Sequence, residues 1–247
     1  MCASILIKFN GAPHILKSCG DMRSRCGVMA SQSILTSFQI EFLETFFQNE
    51  IGRKFFLTGG TALAAYYLQH RYSEDIDLFT LDNSALEQIQ PELDAMAFML
   101  GATSKTAVTT PNFRQTFFTR GNESLKIDLV RDIDIQIGTH RNFGSVIVDS
   151  FENIGANKIT AIFGRTAVKD FVDLYFILQT GVQFDDLLSM AKQKDAGLTE
   201  FYLAGMIRQA RELNRLPRMI KPLDLEAMKQ FYLARADELL RKTKPPV

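Results

Sequence analysis

The most informative segment of the sequence is LTGGTALAAYYLQHRYSEDIDLFT, residues 57–80. The residues KFFLT, 54–58, are typical of a short buried strand, and Gly59-Gly60 is typical of a turn that leads directly into a helix over 61–70. The first N–H groups of such a helix have no partner inside it, so a phosphate in the turn gains hydrogen bonds and a favourable helix dipole. Taken alone, this pattern favours an ordinary helix start over a ligand site.

Two aspartates near the end of the stretch change that balance. Asp75 and Asp77 belong to a predicted strand over residues 75–80, in which polar and apolar residues alternate. Residues i and i+2 of a strand share a face, so both carboxylates project together while Ile76 and Leu78 face the core. Two close carboxylates repel each other, and Mg²⁺, which prefers carboxylate and phosphate oxygens, relieves that repulsion. The alternative interpretation is a solvated strand edge.

A third aspartate lies on a later predicted strand, LKIDLV, residues 125–130. The apolar residues of that strand form one face, and Asp128 lies on the other face beside Lys126. If the two strands are neighbours, Asp128 lies next to the first two carboxylates. Three carboxylates on adjacent strands can hold two Mg²⁺ ions for an in-line displacement at phosphorus. Asp132 and Asp134 follow the strand and are interpreted as surface charges.

The remaining pattern predicts a mixed α/β part followed by helices. The first predicted helix, over residues 36–50, opens with the capping-box pattern Thr36-x-x-Gln39. The other predicted elements are a helix over 84–100, strands over 113–119, 125–131 and 145–148, and helices over 151–163, 167–180, 184–194, 198–215 and 224–242. The predicted class is therefore α+β, a mixed β-sheet flanked by helices and followed by a C-terminal helical bundle. The predicted domains are a loosely ordered extension over 1–28, a core over 29–148 and a helical region over 149–247 that packs on the core.

Composition excludes several classes of protein. The 247 residues are 46% hydrophobic and carry 28 basic and 28 acidic side chains, which is typical of a globular protein and not of a disordered or nucleic-acid-coating one. No apolar run reaches the roughly 18 residues that a transmembrane helix needs, so we expect no membrane association. The three cysteines, Cys2, Cys19 and Cys26, have no C-x-x-C spacing and indicate neither a disulfide framework nor a zinc site. Their absence from the rest of the chain suits a reducing cytoplasm.

The order strand, Gly-Gly-Thr, helix, D-x-D and later strand aspartate resembles that of the polymerase-β-type nucleotidyltransferase superfamily. More narrowly, LTGGTALA followed by YL-x-HR-x-S-x-DIDLF is similar to the nucleotidyltransferase AbiEii/AbiGii toxin family. The second signature of that family, a helix lysine and an arginine followed by K-D-x-x-D-L-Y, is also present, with Lys158 in ENIGANKITAIFGR and KDFVDLY at 169–175. The resemblance covers about residues 33–180.

The resemblance, together with the strand geometry, implies a set of site residues. The predicted metal ligands are Asp75, Asp77 and Asp128, and Asp128 is also placed to act as general base. The predicted catalytic residues are Asp75, Asp77, Asp128, Lys158 and Asp170. The residues predicted to hold the triphosphate of an NTP are Gly59, Gly60, Thr61, Ser73, Lys158 and Arg165.

The second signature has two interpretations. Lys158 and Arg165 are seven residues apart and share a helix face, from which they can reach the β- and γ-phosphates. We expect Lys158 to be a solvated lysine that faces the carboxylates across a gap wide enough for a triphosphate. Asp170 and Asp173 share a face of the next helix and can fix the basic pair or a substrate hydroxyl. The alternative is a structural ion-pair network that joins the two helices.

Three further groups of residues are weaker evidence for a functional role. His70 is predicted to cap the end of its helix, and Arg71 either packs there or contacts phosphate. A basic stripe follows later, with its members at helical spacing: Arg208, Arg211, Arg215 and Arg218, and then Lys221. Beside the cleft such a stripe suits an RNA backbone, and the alternative is a solvated helix face.

The resemblance implies a Mg²⁺-dependent enzyme that transfers a nucleoside monophosphate from an NTP to an acceptor hydroxyl. Its expected role is that of the toxin in a bacterial toxin–antitoxin or phage-defence pair, with a cognate antitoxin, and tRNA is the expected acceptor. One alternative is a nucleotide-binding module without turnover, against which the intact set of carboxylates argues. The other is a nucleotidyltransferase with a protein or small-molecule acceptor, such as a cationic antibiotic.

Overall fold

The computed structural model describes residues 34–243. The predicted extension over residues 1–28 lies outside the described residues, as do the three cysteines. In the first helix, α1 (Ser37–Gln48), the predicted capping box is present. The Thr36 hydroxyl accepts a hydrogen bond from the Gln39 N–H at 3.1 Å, and the Gln39 side chain accepts one from the Thr36 N–H at 2.9 Å. The helix therefore begins where the sequence predicts.

A mixed sheet follows α1, and helices complete the described chain. The strands are β1 (Phe55–Thr58), β2 (Ile76–Thr80), β3 (Thr103–Thr110), β4 (Phe113–Arg120), β5 (Glu123–Arg131), β6 (Arg141–Phe143) and β7 (Val146–Val148). The helices are α2 (Gly59–Ala62, extended by a π-helical segment Leu63–Leu68), α3 (Asn83–Met99), α4 (Phe151–Gly164), α5 (Val168–Leu178), α6 (Phe184–Lys194), α7 (Glu200–Arg208) and α8 (Leu225–Lys242). Short 3₁₀ segments lie at Gly52–Lys54 and Gln209–Glu212.

The sheet places β2 between β1 and β5. Its strand order is β3-β4-β5-β2-β1-β7-β6, with β2 antiparallel to β1 and parallel to β5. In this register Asp77 lies opposite Thr58 on one side and opposite Asp128 on the other. The predictions of a mixed sheet and of neighbouring aspartate-bearing strands are therefore confirmed.

The two faces of β2 differ in their surroundings. Ile76 and Leu78 are fully buried on the face that packs against α1 and α3, whereas Asp77 and Phe79 are only partly buried on the other face. This alternation follows from the two-residue period of a strand. The core on the α1 side is rich in phenylalanine; the Phe42 ring, for example, meets the Phe118 ring edge-on at 5.4 Å. The carboxylates thus project from a well-packed sheet toward α4 and α5.

Two strands and one helix end differ from the prediction. The strands β3 and β6 were not predicted, because β3 (TSKTAVTT) is mostly exposed and lacks an apolar face. The helix predicted over 198–215 ends as an α-helix at Arg208. The chain beyond it runs beside the loop after α2, where the Tyr72 N–H donates to the Arg218 carbonyl at 2.9 Å. Local propensity could not reveal this long-range pairing.

The helices of the second half follow β7 directly. The Tyr232 hydroxyl of α8 donates to the Phe171 carbonyl of α5 at 2.6 Å, so the helices share one buried interior. The predicted division of the chain after residues 28 and 148 stays a prediction. Within residues 34–243 no helix has the length and apolar character needed to cross a membrane.

Candidate active site

The turn between β1 and α2 lies directly against Asp77. Gly59 has a φ of +69°, and a Cβ atom there would lie 2.1 Å from the Asp77 Oδ2 atom. A Cβ on Gly60 would lie 2.2 Å from the Arg71 Nη2 atom and 3.1 Å from the Ser73 hydroxyl oxygen. Both glycines therefore allow the backbone to approach polar side chains more closely than any other residue would.

Substitution of Gly59 tests this close approach. We expect Gly59→Ala to cost roughly 1–2 kcal/mol in unfolding free energy for the left-handed backbone, and more for the clash with Asp77. Gly121→Ala is the matched control, because Gly121 has a φ of +57° but no atom within 4 Å of its Cβ position. Thermal unfolding of both variants measures the difference. Equal losses of stability in the two variants would contradict the contact between Gly59 and Asp77.

The three predicted metal-binding carboxylates lie close together, with two lysines among them. The Lys126 ammonium lies 3.2 Å from Asp75 Oδ2 and 3.1 Å from Asp128 Oδ2. The Lys169 ammonium also contacts Asp75 Oδ2, at 3.2 Å. Asp77 is in no ion pair with a lysine of the described chain. Two of the three carboxylates are thus neutralised by the protein itself.

Burial and neighbouring charges shift the pKa values of Asp75 and Asp77 in opposite directions. Burial raises the pKa of Asp75, but the charges and hydrogen bonds of Lys169 and Lys126 outweigh it, so the pKa is lowered overall. Burial raises the pKa of Asp77, and the charges of Asp128 and Asp75 raise it further, against the opposing charge of Lys158. Of these two carboxylates, Asp77 would therefore gain more from a bound cation.

The donor set suits Mg²⁺, although the side chains are not arranged around an ion. Within residues 34–243 no three His, Cys, Asp or Glu side chains stand in a metal-binding cluster. Instead the Lys126 ammonium lies between Asp75 and Asp128 and contacts both carboxylates. The Lys126 side chain is 30% exposed, so it can turn away into solvent. The carboxylates it would leave behind are the ligands that Mg²⁺ prefers.

The remaining residues of the turn have separate roles. The Thr61 hydroxyl is fully buried and donates to the Asp75 carbonyl, so it positions the start of β2. Its predicted role in holding the triphosphate stays a prediction. Ser73 is partly buried beside the Gly60 turn, and the Gln39 side chain of α1 holds its backbone carbonyl at 3.0 Å. Ser73 stays a predicted phosphate ligand.

The second signature forms a buried ion-pair cluster between α4 and α5. The Lys158 ammonium lies 2.9 Å from Asp170 Oδ1 and 2.7 Å from Asp173 Oδ2, and Arg165 donates to Asp170 at 2.9 Å. The expectation of a solvated Lys158 is wrong, because its side chain is almost fully buried. Burial lowers the pKa of Lys158, but Asp173 and Asp170 raise it more, so the lysine stays charged. Arg165 lies just beyond α4 as its C-cap residue and is largely exposed.

Asp173 joins this cluster to the first signature, which the sequence did not reveal. Its carboxylate accepts from Arg71 at 2.6 and 2.8 Å and lies 2.7 Å from His70 Nε2. His70 is therefore buried against α5 and does not cap α2, whose last turn ends at Gln69 with a φ of 52°. Burial lowers the pKa of His70 more than its hydrogen bond and charge interaction with Asp173 raise it.

Asp77 and Lys158 line the same small cavity, of about 140 Å³, together with Gly59 and Asp170. A gap between Asp77 and Lys158 is therefore present, and its capacity for a triphosphate stays a prediction. A larger cleft of about 550 Å³ adjoins it and shares four of its lining residues, Phe79, Asn157, Ala161 and Arg165. The two cavities together form one open groove between β2 and α4.

Two expectations about charged residues near this groove need correction. Asp132 is not a surface charge, because it is mostly buried and pairs with the buried Lys194 at 3.0 Å in the wall of the larger cleft. Asp134 is 81% exposed, as predicted.

The basic stripe does not form one helix face. Arg208 ends α7 and pairs with Asp237 at 2.5 Å, Arg211 lies in the 3₁₀ segment beside Glu212, and Arg215 lies in the extended chain beyond it. The Arg218 guanidinium lies over the Tyr72 ring at 4.1 Å. These side chains contact different parts of the fold, so they give no continuous track for an RNA backbone.

Comparison with known proteins shows the family and the fold. The model of the family described as nucleotidyl transferase AbiEii toxin, type IV TA system, matches residues 41–245. No curated protein sequence is similar enough to count as a relative. Among solved structures, JHP933 from Helicobacter pylori is similar, with 17% identity, a TM-score of 0.56, and 87% of this chain and 92% of that chain covered. The nucleotidyltransferase toxin MenT4 from Mycobacterium tuberculosis H37Rv is similar over 90% of each chain, with 12% identity and a TM-score of 0.52. At these identities the two structures establish the fold.

Proposed function

Because the chain belongs to the nucleotidyl transferase AbiEii toxin family, we propose that it transfers a nucleoside monophosphate from an NTP to an acceptor hydroxyl in the groove between β2 and α4. The observation that carries the proposal is the register of the sheet. It sets Asp77 directly beside Asp128 and leaves Asp77 against the Gly59 turn. Carboxylates beside a phosphate-binding turn are what transfer at phosphorus requires.

In this proposal, different residues of the groove bind the triphosphate, hold the metal ion and accept the proton. The backbone of the Gly59-Gly60 turn receives the triphosphate, and Ser73 lies within reach of the same phosphates. Asp75, Asp77 and Asp128 would hold Mg²⁺, which when bound neutralises charge on the phosphates. The acceptor hydroxyl attacks the α-phosphorus, Asp128 takes its proton, and pyrophosphate leaves as the bond to the bridging oxygen breaks.

Lys158 and Arg165 serve the leaving pyrophosphate in this proposal. Arg165 is largely exposed at the rim of the groove and can reach an incoming phosphate directly. Lys158 is held by Asp170 and Asp173, so it contributes a fixed positive charge opposite Asp77. Asp170 is thus a positioning residue for the basic pair, a narrower role than the catalytic one predicted from the resemblance. The nucleoside then lies in the larger cleft, against Phe79 and Asn157.

The biological setting follows from the family. Membership of a type IV toxin–antitoxin family implies an antitoxin partner. We propose tRNA as the acceptor and the cytoplasm as the site of action, where tRNA and NTPs are both abundant, with phage defence as the role. Because the basic stripe forms no continuous track, we propose that Arg165 and the nearby Lys169, which are both partly exposed, supply positive charge for the RNA.

A labelling experiment separates this proposal from its alternatives. The protein is incubated with each of the four NTPs, labelled at the α-phosphate, with Mg²⁺, total tRNA and total cellular protein. We expect label in the tRNA fraction with one preferred NTP, and less of it by a factor on the order of 100 or more with Asp77→Asn. Label in a protein or small-molecule fraction would identify the other acceptor class. Nucleotide binding without label in any fraction would leave only the binding module.

A further inference from the structure

We propose that Lys126 is a resident counter-cation that competes with the metal ion, so that Mg²⁺ enters the site together with the NTP and not before it. The inference rests on the proposed function, which supplies the metal and the phosphates. The observation behind it is that one ammonium group touches two carboxylates, Asp75 at 3.2 Å and Asp128 at 3.1 Å. A metal ion held by these two carboxylates would compete with this ammonium for them.

The position of Lys126 on β5 explains why its side chain lies close to the carboxylates. Lys126 lies two residues before Asp128 on the same face of β5, so the strand itself places its side chain among the carboxylates. Lys169 differs, because it comes from the start of α5, touches only Asp75, and is 44% exposed. Among the described lysines, only Lys126 contacts both Asp75, which directly precedes β2, and Asp128 of β5.

Strand pairing does not need this lysine. The strands β2 and β5 are already joined by a parallel ladder of five residue pairs, from Ile76 and Ile127 to Thr80 and Arg131. The ion pairs are partly exposed, and such pairs contribute little to stability. Their effect is electrostatic, because the Lys126 ammonium offsets the negative charge of Asp75 and Asp128.

The bound nucleotide would reverse this balance. The triphosphate brings several negative charges to the Gly59 turn and offers Lys126 a new partner, while its oxygens add ligands for the metal. A metal ion and an NTP would then bind cooperatively. The NTP would draw Lys126 away from the carboxylates that the metal ion needs, and the metal ion would offset the negative charge that the NTP brings. The free protein would bind divalent cations weakly.

Metal binding without nucleotide tests the inference directly. Mn²⁺ is titrated by calorimetry into the wild-type protein and the variants Lys126→Met, Lys126→Gln and Lys126→Arg. We expect both neutral variants to bind Mn²⁺ roughly tenfold more tightly than wild type, since a positive charge close to the ion is lost. Lys126→Arg keeps the charge and should resemble wild type. The matched control is Lys54→Met, which removes a partly exposed lysine paired with Asp82 at 3.0 Å, at the far end of β2.

Thermal unfolding gives a second readout on the same samples. Without metal, Lys126→Met should melt within a few degrees of wild type, because the partly exposed ion pairs contribute little to stability. Added Mn²⁺ should raise its melting temperature more than that of wild type. An unchanged or weaker Mn²⁺ affinity in both neutral variants would overturn the inference. If Mn²⁺ binds the neutral variants more tightly but no variant transfers nucleotide, the counter-cation stands and the proposed function fails. If the wild-type protein transfers nucleotide but the neutral variants bind Mn²⁺ no more tightly than it does, the proposed function stands and the counter-cation fails.

Discussion

Asp77→Asn is expected to reduce nucleotide transfer by a factor on the order of 100 or more while leaving the fold as stable as before, or slightly more stable. An amide has the shape of the carboxylate but cannot supply the charge that a divalent cation requires, and the loss of a metal ligand removes several kcal/mol of transition-state stabilisation. The raised pKa of Asp77 means that its negative charge is unfavourable in the folded protein. Removing that charge therefore relieves repulsion from Asp75 and Asp128.

Transfer of α-labelled nucleotide and the melting temperature should be measured on one preparation of this variant. Asp134→Asn is the matched control, because Asp134 is 81% exposed and pairs only with Arg131 on the surface. We expect it to match wild type in both measurements. Full transfer by Asp77→Asn, or full wild-type transfer in EDTA, would remove Asp77 and the metal from the proposal. A large drop in its melting temperature would make Asp77 a structural residue.

The fold was predictable wherever a local pattern carried it. The capping box of α1, the alternation of β2 and the Gly-Gly turn each have a short-range physical cause, and the structure confirms all three. β3 escaped prediction because an exposed edge strand buries no apolar face and leaves no periodic signal. The end of α7 at Arg208 escaped for another reason: the chain that follows pairs with residues 70–72, more than a hundred residues earlier.

The candidate site, too, was predictable only where a local pattern carried the information. Strand periodicity placed Asp77 and Asp128 on suitable faces, and the register makes them direct neighbours. The resemblance supplied the second signature but not its burial, since a motif does not show how deeply a helix packs. The junction of His70 and Arg71 with Asp173 spans about a hundred residues of chain, so no spacing rule could reveal it. The spacing of Lys126 and Asp128 put both on one strand face, but the contact with Asp75 depended on the sheet.

Asp173→Ala should have the largest effect on stability, a loss of roughly 3–5 kcal/mol in unfolding free energy. The Asp173 carboxylate is fully buried and is shared by Lys158, Arg71 and His70. Its removal leaves Lys158 with Asp170 only, and Arg71 with no carboxylate partner among the described residues. An uncompensated buried charge costs far more than the lost pair contributes, because the cation cannot regain water.

Lys158→Ala should be milder, because each of its partners keeps another cation. Asp170 retains Arg165, and Asp173 retains Arg71. This variant therefore separates stability from function: it should melt at a temperature between those of Asp173→Ala and wild type, and use NTP far less well than wild type. A fall in melting temperature with unchanged NTP affinity would show that Lys158 only joins α4 to α5.

The pH dependence of unfolding provides an independent check on Asp173. Burial raises its pKa, but Lys158, Arg71 and His70 outweigh burial and hold the pKa far below the ordinary value. A depressed pKa stabilises the folded protein above the unfolded-state value of about 4, and this contribution is lost as the pH falls below it. His70 acts with the same sign between about pH 6.5 and its lowered folded pKa, because protonation favours the unfolded chain. Denaturant melts from pH 7 to pH 3 should therefore show a steeper loss of stability below pH 4 in wild type than in Asp173→Ala. Parallel curves for the two proteins would mean that the buried carboxylate does not hold this cluster together.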